Sequence, residues 1–246
     1  AEERAKGHFE NAVKFLEAGQ NGKARVELLN VLKLDNEHVE AHLAFGKLKE
    51  EQGRLHRAVR HYIRVIDLQE DNWEAQRRYG RLMLASNNMD EALNASNTAF
   101  ELAPGNAEVL ALRATVAYRL GNIKTAEEAL DAAFAADDSL TQLWILQAAM
   151  YRDARDFENA IAAAESGLAI EPGNIPLGLA RVGLLSADGR PEESVAALAE
   201  LVERNPENVG LRETLLQSQI ARRDYEAAEV SLRKLSEIQP NKVGRA

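Results

Sequence analysis

Proline and small residues recur at a fixed interval along this chain of 246 residues. Four of the six prolines, at positions 104, 172, 206 and 240, lie on one regular grid, with successive spacings of 68, 34 and 34. Twelve positions before each point of this grid lies a small residue: Ala24, Ala58, Ala92, Ala126, Ala160, Ser194 and Ala228. Five positions earlier lie Gly19, Gly53, Asn87, Gly121, Arg155, Gly189 and Arg223. A period of this length predicts an array of repeated units that bury their apolar faces against one another.

Seven such periods fit the chain without an insertion. They cover residues 5–242, which is 238 of the 246 residues. We therefore expect one repeat array and no second domain in this sequence. Its predicted repeats are 5–38, 39–72, 73–106, 107–140, 141–174, 175–208 and 209–242.

Each period has the pattern of two helices joined by short turns. In the second period, apolar residues recur at helical spacing in two runs, separated by Gly53. The first run is Val39, Leu43, Phe45 and Leu48, and the second is Leu55, Val59, Tyr62, Ile63, Val65 and Ile66. Gly53 suits the left-handed backbone that closes a helix, and Asn87 is the next best residue for the equivalent position. The small residue early in each second helix predicts a close approach of the paired helices.

The pattern resembles the tetratricopeptide repeat, a helix–turn–helix unit of about 34 residues. Phe45-Gly46 and Tyr79-Gly80 match the Leu-Gly pair of that family best, and Tyr62 keeps the aromatic residue of its second helix. The resemblance implies an all-α fold, a right-handed superhelical solenoid of about fourteen helices in antiparallel pairs. It also implies that the first helix of each repeat lines an inner face, where ligands of the family usually lie.

Composition excludes several other classes of protein. The chain has no cysteine, which rules out disulfides, Cys-based zinc sites and a cysteine nucleophile. Its net charge of −9 argues against nucleic acid as the main partner. No run approaches the roughly 18 apolar residues of a membrane-spanning helix.

The sequence predicts neither a catalytic nor a metal site, and no cofactor. It contains no Gly-rich phosphate loop and no nucleophile elbow. His38 and His42 are four residues apart, a spacing found in pairs of metal ligands, but no HExxH pattern surrounds them, and packing or surface roles are favoured. Asp137-Asp138 before Ser139 is better explained by turn chemistry. We therefore predict that the protein is not an enzyme.

The resemblance places positions 2, 5, 9, 12 and 13 of each repeat on the inner face; we call these the inner positions. Phe9, Val13 and Leu16 make this face apolar in the first repeat. A basic stripe follows in repeats two to four, where an acidic or C-terminal peptide could be held by arginine forks. The alternative is that these arginines pair with the nearby Glu74 and Glu108. The predicted peptide-binding residues are Lys47, Arg77, Arg81, Thr115, Tyr118, Arg119 and Arg152.

Some members of the family clamp a C-terminal carboxylate with Lys and Asn in the first two repeats and a basic pair in the third. Arg77 and Arg81 match the third-repeat pair, whereas Phe9 and Val13 replace the first-repeat residues. The resemblance therefore does not support the chaperone type of clamp.

Charge and the chain ends give further expectations. Residues 1–123 carry a net charge of −1 and residues 124–246 carry −8, a bias that suits a solvated outer face or an oriented partner. Only six residues follow Pro240, so we expect Leu232, Leu235 and Ile238 to lack a covering repeat. A natural chain that continues beyond residue 246, or self-association through these ends, would cover them.

The predicted function is a protein–protein interaction scaffold that binds a partner in the groove of its inner face. The sequence is similar to bacterial repeat proteins of the cell envelope, which favours an export or assembly system and the periplasm over the cytoplasm. Three alternatives remain: a co-chaperone or regulatory module that reads carboxylates, an array that self-assembles, and an appendage of a larger enzyme such as a transferase.

Overall fold

A computed structural model describes residues 2–238 of the chain. This part contains fourteen α-helices and no strand, as the periodicity predicts. Its residues cluster into two compact units, which are divided between Ala136 and Asp137 and are described separately. Residues 239–242 of the seventh predicted repeat, with Pro240, lie outside the described residues.

The first unit holds eight helices in four antiparallel pairs. They are α1 (Glu2–Glu17), α2 (Asn21–Leu34), α3 (Val39–Glu51), α4 (Leu55–Leu68), α5 (Trp73–Ala85), α6 (Met89–Leu102), α7 (Ala107–Arg119) and α8 (Ile123–Ala136). The second unit holds the other six. They are α9 (Thr141–Asp153), α10 (Phe157–Ile170), α11 (Ile175–Ala187), α12 (Pro191–Arg204), α13 (Val209–Ala221) and α14 (Tyr225–Ile238).

Side-chain caps start many of the odd-numbered helices. The amide oxygens of four asparagines, which occupy the same position of their repeats, accept hydrogen bonds from backbone N–H groups three positions on, at 2.9–3.1 Å. These are Asn72, Asn106, Asn174 and Asn208. His38 takes this role at α3 through Nδ1, 3.3 Å from the N of Ala41. The histidine considered as a metal ligand therefore serves as a helix cap.

The turn within each helix pair has the predicted left-handed residue. All seven periodic positions have φ between 60° and 77°, including Gly53 at 67° and the non-glycine residues Asn87, Arg155 and Arg223. At Gly53 the N–H groups of Gly53 and Arg54 donate to the carbonyls of Glu50 and Lys49, which closes α3.

The predicted small residues do let the paired helices approach. Five of them, from Ala24 to Ala160, have no exposed surface, and Ser194 and Ala228 are 7% and 6% exposed. Near the end of the described chain, Leu232 is 45% exposed, as expected for a helix without a covering repeat. Leu235, in contrast, is only 6% exposed, and Ile238 is half-buried. No helix among residues 2–238 has both the length and the apolar run needed to cross a membrane.

Candidate functional site

A cavity of about 380 Å³ opens at the inner positions of the first two repeats. Its apolar part comes from Phe9, Val13 and Leu16 on α1 and from Leu43 on α3. Polar and charged side chains, among them Glu40, Lys47 and Glu51, complete the lining. Most of the inner positions named for these two repeats thus share one concavity, which mixes an apolar floor with charges of both signs.

The basic stripe is paired with carboxylates of the neighbouring first helices. Lys47 Nζ lies 2.8 Å from Glu74 Oε1, and Arg77 Nη2 lies 2.9 Å from Glu108 Oε2. Arg81 pairs with Glu50. The pairing of an arginine of the stripe with Glu108 is therefore present, whereas Glu74 pairs with Lys47 and not with Arg77 or Arg81. An acidic ligand would have to compete with these pairs.

Glu50 is the centre of this network. It accepts a hydrogen bond of 2.6 Å from the hydroxyl of Tyr62 and contacts both Arg78 and Arg81. Arg78 also donates to Glu74 at 3.0 Å, so carboxylates of α3 and α5 share one guanidinium. Neither Glu50 nor Arg78 could be predicted as a site residue from the sequence. Many other charged side chains at helical spacing could pair with the cations of the stripe equally well.

Burial and pairing shift the ionisation of these groups. Burial tends to raise the pKa of Glu74, but hydrogen bonds from Lys47 and Arg78 outweigh it and hold that pKa below its usual range. Burial lowers the pKa of Arg77, whose side chain is 7% exposed, and Glu108 opposes the change. The Nε of Arg77 has no hydrogen-bond partner within residues 2–238. Lys47, Arg77 and Arg81 are therefore each already paired with a glutamate of the inner face.

The other four predicted site residues lie on α7 and α9. Thr115 donates its hydroxyl to the carbonyl of Ala111 at 2.8 Å, and Tyr118 is half-buried on α7. Arg119 donates to Asn87 Oδ1 at 3.1 Å. Arg152 belongs to the second unit, where its Nη2 lies 2.8 Å from Asp153. The ion pairs thus connect Lys47 and Arg81 through Glu74, Arg78 and Glu50, whereas Arg77 pairs with Glu108.

Two histidines of the first unit, His42 and His61, lie against each other. His42 Nδ1 lies 3.0 Å from His61 Nδ1, and His42 Nε2 lies 3.1 Å from the carbonyl of Asn36. The ring of His61 stacks on Phe45, with centroids 5.0 Å apart. Among residues 2–238, no three His, Asp or Glu side chains are grouped to hold a metal. Asp137 accepts two hydrogen bonds from Ser139, which confirms the turn role expected for it.

Known proteins share this architecture. The sequence model of the tetratricopeptide repeat matches residues 43–107 and 112–175. No curated protein sequence matches the chain. Among solved structures, a tetratricopeptide repeat protein from Parabacteroides merdae aligns over 98% of this chain and 95% of its own, with 17% identity and a TM-score of 0.69.

Two further structures show the same fold. PilW, a type IV pilus biogenesis factor, has 15% identity, a TM-score of 0.70 and coverage of 86% of this chain and 98% of its own. The Cut9–Hcn1 hetero-tetramer contains a chain with 16% identity and a TM-score of 0.70, matched over 94% of this chain and 46% of that one. Identities this low show a shared fold alone. The matching structures confirm the predicted all-α solenoid of helix pairs.

Proposed function

The chain belongs to the tetratricopeptide repeat family, and we propose that it is a non-enzymatic scaffold that binds a segment of a partner protein at its inner positions. The cavity between α1 and α3 supports this proposal most directly. Its apolar side chains, Phe9, Val13, Leu16 and Leu43, are held at the surface by two rigid helices. An apolar cleft with polar groups at its rim is the usual form of a peptide site.

The preferred ligand is a peptide with apolar side chains, and not a carboxylate alone. Lys47, Arg77 and Arg81 already have carboxylate partners, so a C-terminal carboxylate gains little by displacing them. Peptides with a free or an amidated C-terminus should therefore bind alike. A strong preference for the free carboxylate would instead favour the co-chaperone type of module.

Peptides selected from a displayed library against the whole chain would test the site. Val13→Asp puts a charge on the cavity floor and should weaken the selected peptides about tenfold or more, because the charge loses water on binding. Val230→Asp makes the same change on α14, where the side chain is 50% exposed, and should leave affinity unchanged. Equal affinity for both variants would show that the peptides bind elsewhere.

The narrower setting, a bacterial envelope export or assembly system, rests on the sequence resemblance. The likeness to PilW is one of fold and is compatible with that setting. The Cut9–Hcn1 complex likewise provides a neighbour of this fold in an assembly with another protein. The single array over residues 5–242 and self-association through its ends also remain predictions.

A further inference from the structure

A cluster of cations without ion pairs lies away from the inner positions. Arg25 on α2, Lys49 on α3, and Arg57 and Arg60 on α4 line one cavity of about 580 Å³. No carboxylate is among its lining residues. In a chain with a net charge of −9, four cations around one cavity are a local reversal of sign.

These cations are not neutralised within the described part of the chain. The guanidinium groups of Arg25, Arg57 and Arg60 have neither an ion pair nor a hydrogen bond with another of residues 2–238. All three residues are exposed. The contrast with Lys47, Arg77 and Arg81, each paired with a glutamate, shows that the fold does not need these charges for internal pairing.

Lys49 is the most unusual member of the cluster. It is only 6% exposed, and its ammonium contacts the neutral amide oxygen of Gln52 at 3.4 Å. Its Nζ also lies 5.6 Å from the ring centre of Phe45. Burial lowers the pKa of Lys49, and the nearby Arg54, Arg25 and Arg57 lower it further. The ammonium thus lines the cavity among other cations and has no carboxylate partner, which suits an anion supplied from outside.

The second unit contains a matched cavity that lacks this property. A cavity of about 310 Å³ lies between α10, α11 and α12, and five of its lining positions are also lining positions of the cavity between α2, α3 and α4. Its Arg181 is held at 3.0 Å by both Glu165 and Glu200. The positions equivalent to the four cations hold Ile161, Leu185, Glu193 and Ala196, none of which is a cation or lines that cavity. The cationic lining is therefore specific to the cavity between α2, α3 and α4 and is not a general feature of the repeat.

We propose that the cavity lined by Arg25, Lys49, Arg57 and Arg60 is a second binding site, which takes a short acidic segment of a partner protein carrying an apolar side chain. Arginine forks bind carboxylates through paired hydrogen bonds. Leu29, Leu32 and Phe45 give the cavity an apolar floor, and His42 and His61 complete its lining. A compact phosphate would leave this floor empty and could not reach cations spread over three helices, which favours a peptide.

A fluorescein-labelled peptide alternating Glu and Leu is a suitable probe, with its Gln and Leu counterpart as the uncharged reference. Anisotropy titrations with the whole chain should show binding of the Glu peptide that weakens as salt is raised. The double variant Arg25→Gln/Arg60→Gln should bind it about tenfold or more weakly. Lys124→Gln/Arg233→Gln removes the same charge from side chains that are 87% and 70% exposed, and should bind as the wild type does.

Lys49→Met separates binding from folding. It should raise Tm, because a buried unpaired charge is removed, and at the same time weaken the Glu peptide. Val13→Asp should leave the Glu peptide unaffected, so failure at this site is distinguishable from failure at the inner positions.

Three results would overturn the second site. The first is an equal loss of affinity in the Lys124 and Arg233 control. The second is equal affinity for the Gln peptide. The third is inorganic pyrophosphate binding the same four residues as tightly as the peptide, which would identify a phosphate ligand instead.

Discussion

The ring of Tyr62 lies directly against the backbone of Gly46. A Cβ atom added to Gly46 would stand 2.3 Å from Cε1 and 2.7 Å from Cδ1 of that ring. Tyr62 has no exposed surface, and its hydroxyl is fixed at 2.6 Å from Glu50. Burial raises the pKa of Tyr62 to about 12, so the phenol remains a hydrogen-bond donor. The contact joins the core between α3 and α4 to the ion pairs of the inner face.

Gly46→Ala should therefore lower the free energy of unfolding by about 2–3 kcal/mol, because the ring is clamped at both ends and the new methyl group overpacks it. Gly183→Ala is the matched control. Nothing lies within 4 Å of its added Cβ, and the substitution should raise stability by about 0.5–1 kcal/mol through helix propensity. Urea unfolding of both variants measures the difference. A Gly46→Ala variant as stable as the control would show that the ring can move away.

The first repeat suggests how to relieve the clash. Ala12 and Leu28 occupy there the positions of Gly46 and Tyr62, and both are fully buried. The double variant Gly46→Ala/Tyr62→Leu should accordingly lose less stability than the sum of the two single variants, by about 1 kcal/mol or more. A double-mutant cycle by urea unfolding measures this coupling. Simple additivity would mean that the two positions do not contact each other.

The pair of Arg77 and Glu108 should respond unequally to loss of either partner. Glu108→Gln leaves a buried guanidinium without its carboxylate and should cost about 1–2 kcal/mol, moderated by the 44% exposure of Glu108. Arg77→Met removes the buried charge itself and should change stability by less than about 1 kcal/mol. Glu128→Gln, whose pair with Lys124 is exposed, should have little effect. A larger loss for Arg77→Met would contradict this ordering.

Most of the fold could be predicted from the 34-residue period, because the residues that recur in it act on the backbone or the packing within a few positions. A left-handed residue, a small helix-packing residue and an Asn cap each act within a few positions, and all recur at fixed places in the repeat. The partners of the cations are less local. Glu74 was expected as a partner of an arginine, but it pairs with Lys47, because three-dimensional packing decides which side chains meet.

The cationic cavity was missed for a related reason. Arg25, Lys49 and Arg57 belong to three helices, and no short motif connects them. A comparison of equivalent repeat positions would have signalled them, because Ile161, Leu185 and Glu193 stand in their places in later repeats. Charges that break the pattern of a repeat indicate a local role, whereas conforming residues report the fold.

Acid should destabilise the first unit through His61. Burial, together with the charges of His42, Lys49 and Arg60, lowers the pKa of His61 to about 4. The unfolded chain then binds more protons than the folded one between pH 6.5 and about 4, so the free energy of unfolding falls as pH is lowered through this range. After solvent screening the loss is roughly 1–2 kcal/mol.

His61→Gln should remove this part of the pH dependence, while His56→Gln, at an exposed position, should retain it. Urea unfolding of the two variants at pH 7 and pH 5 makes the comparison. Identical slopes in both variants would place the titrating group elsewhere.

The left-handed turn at Arg155 offers a stabilising change. Arg155 has φ of 60°, a conformation that costs residues with a Cβ about 1 kcal/mol, whereas glycine adopts it freely. Arg155→Gly should raise the free energy of unfolding by about 0.5 kcal/mol, after the greater freedom of glycine in the unfolded chain is subtracted. Arg155→Ala removes the same side chain and keeps the strain, so it should not stabilise. Thermal unfolding of the two variants separates the effect of the backbone conformation from that of the side chain. Equal Tm values would show that the gain in stability comes from losing the arginine side chain and not from relieving the left-handed turn.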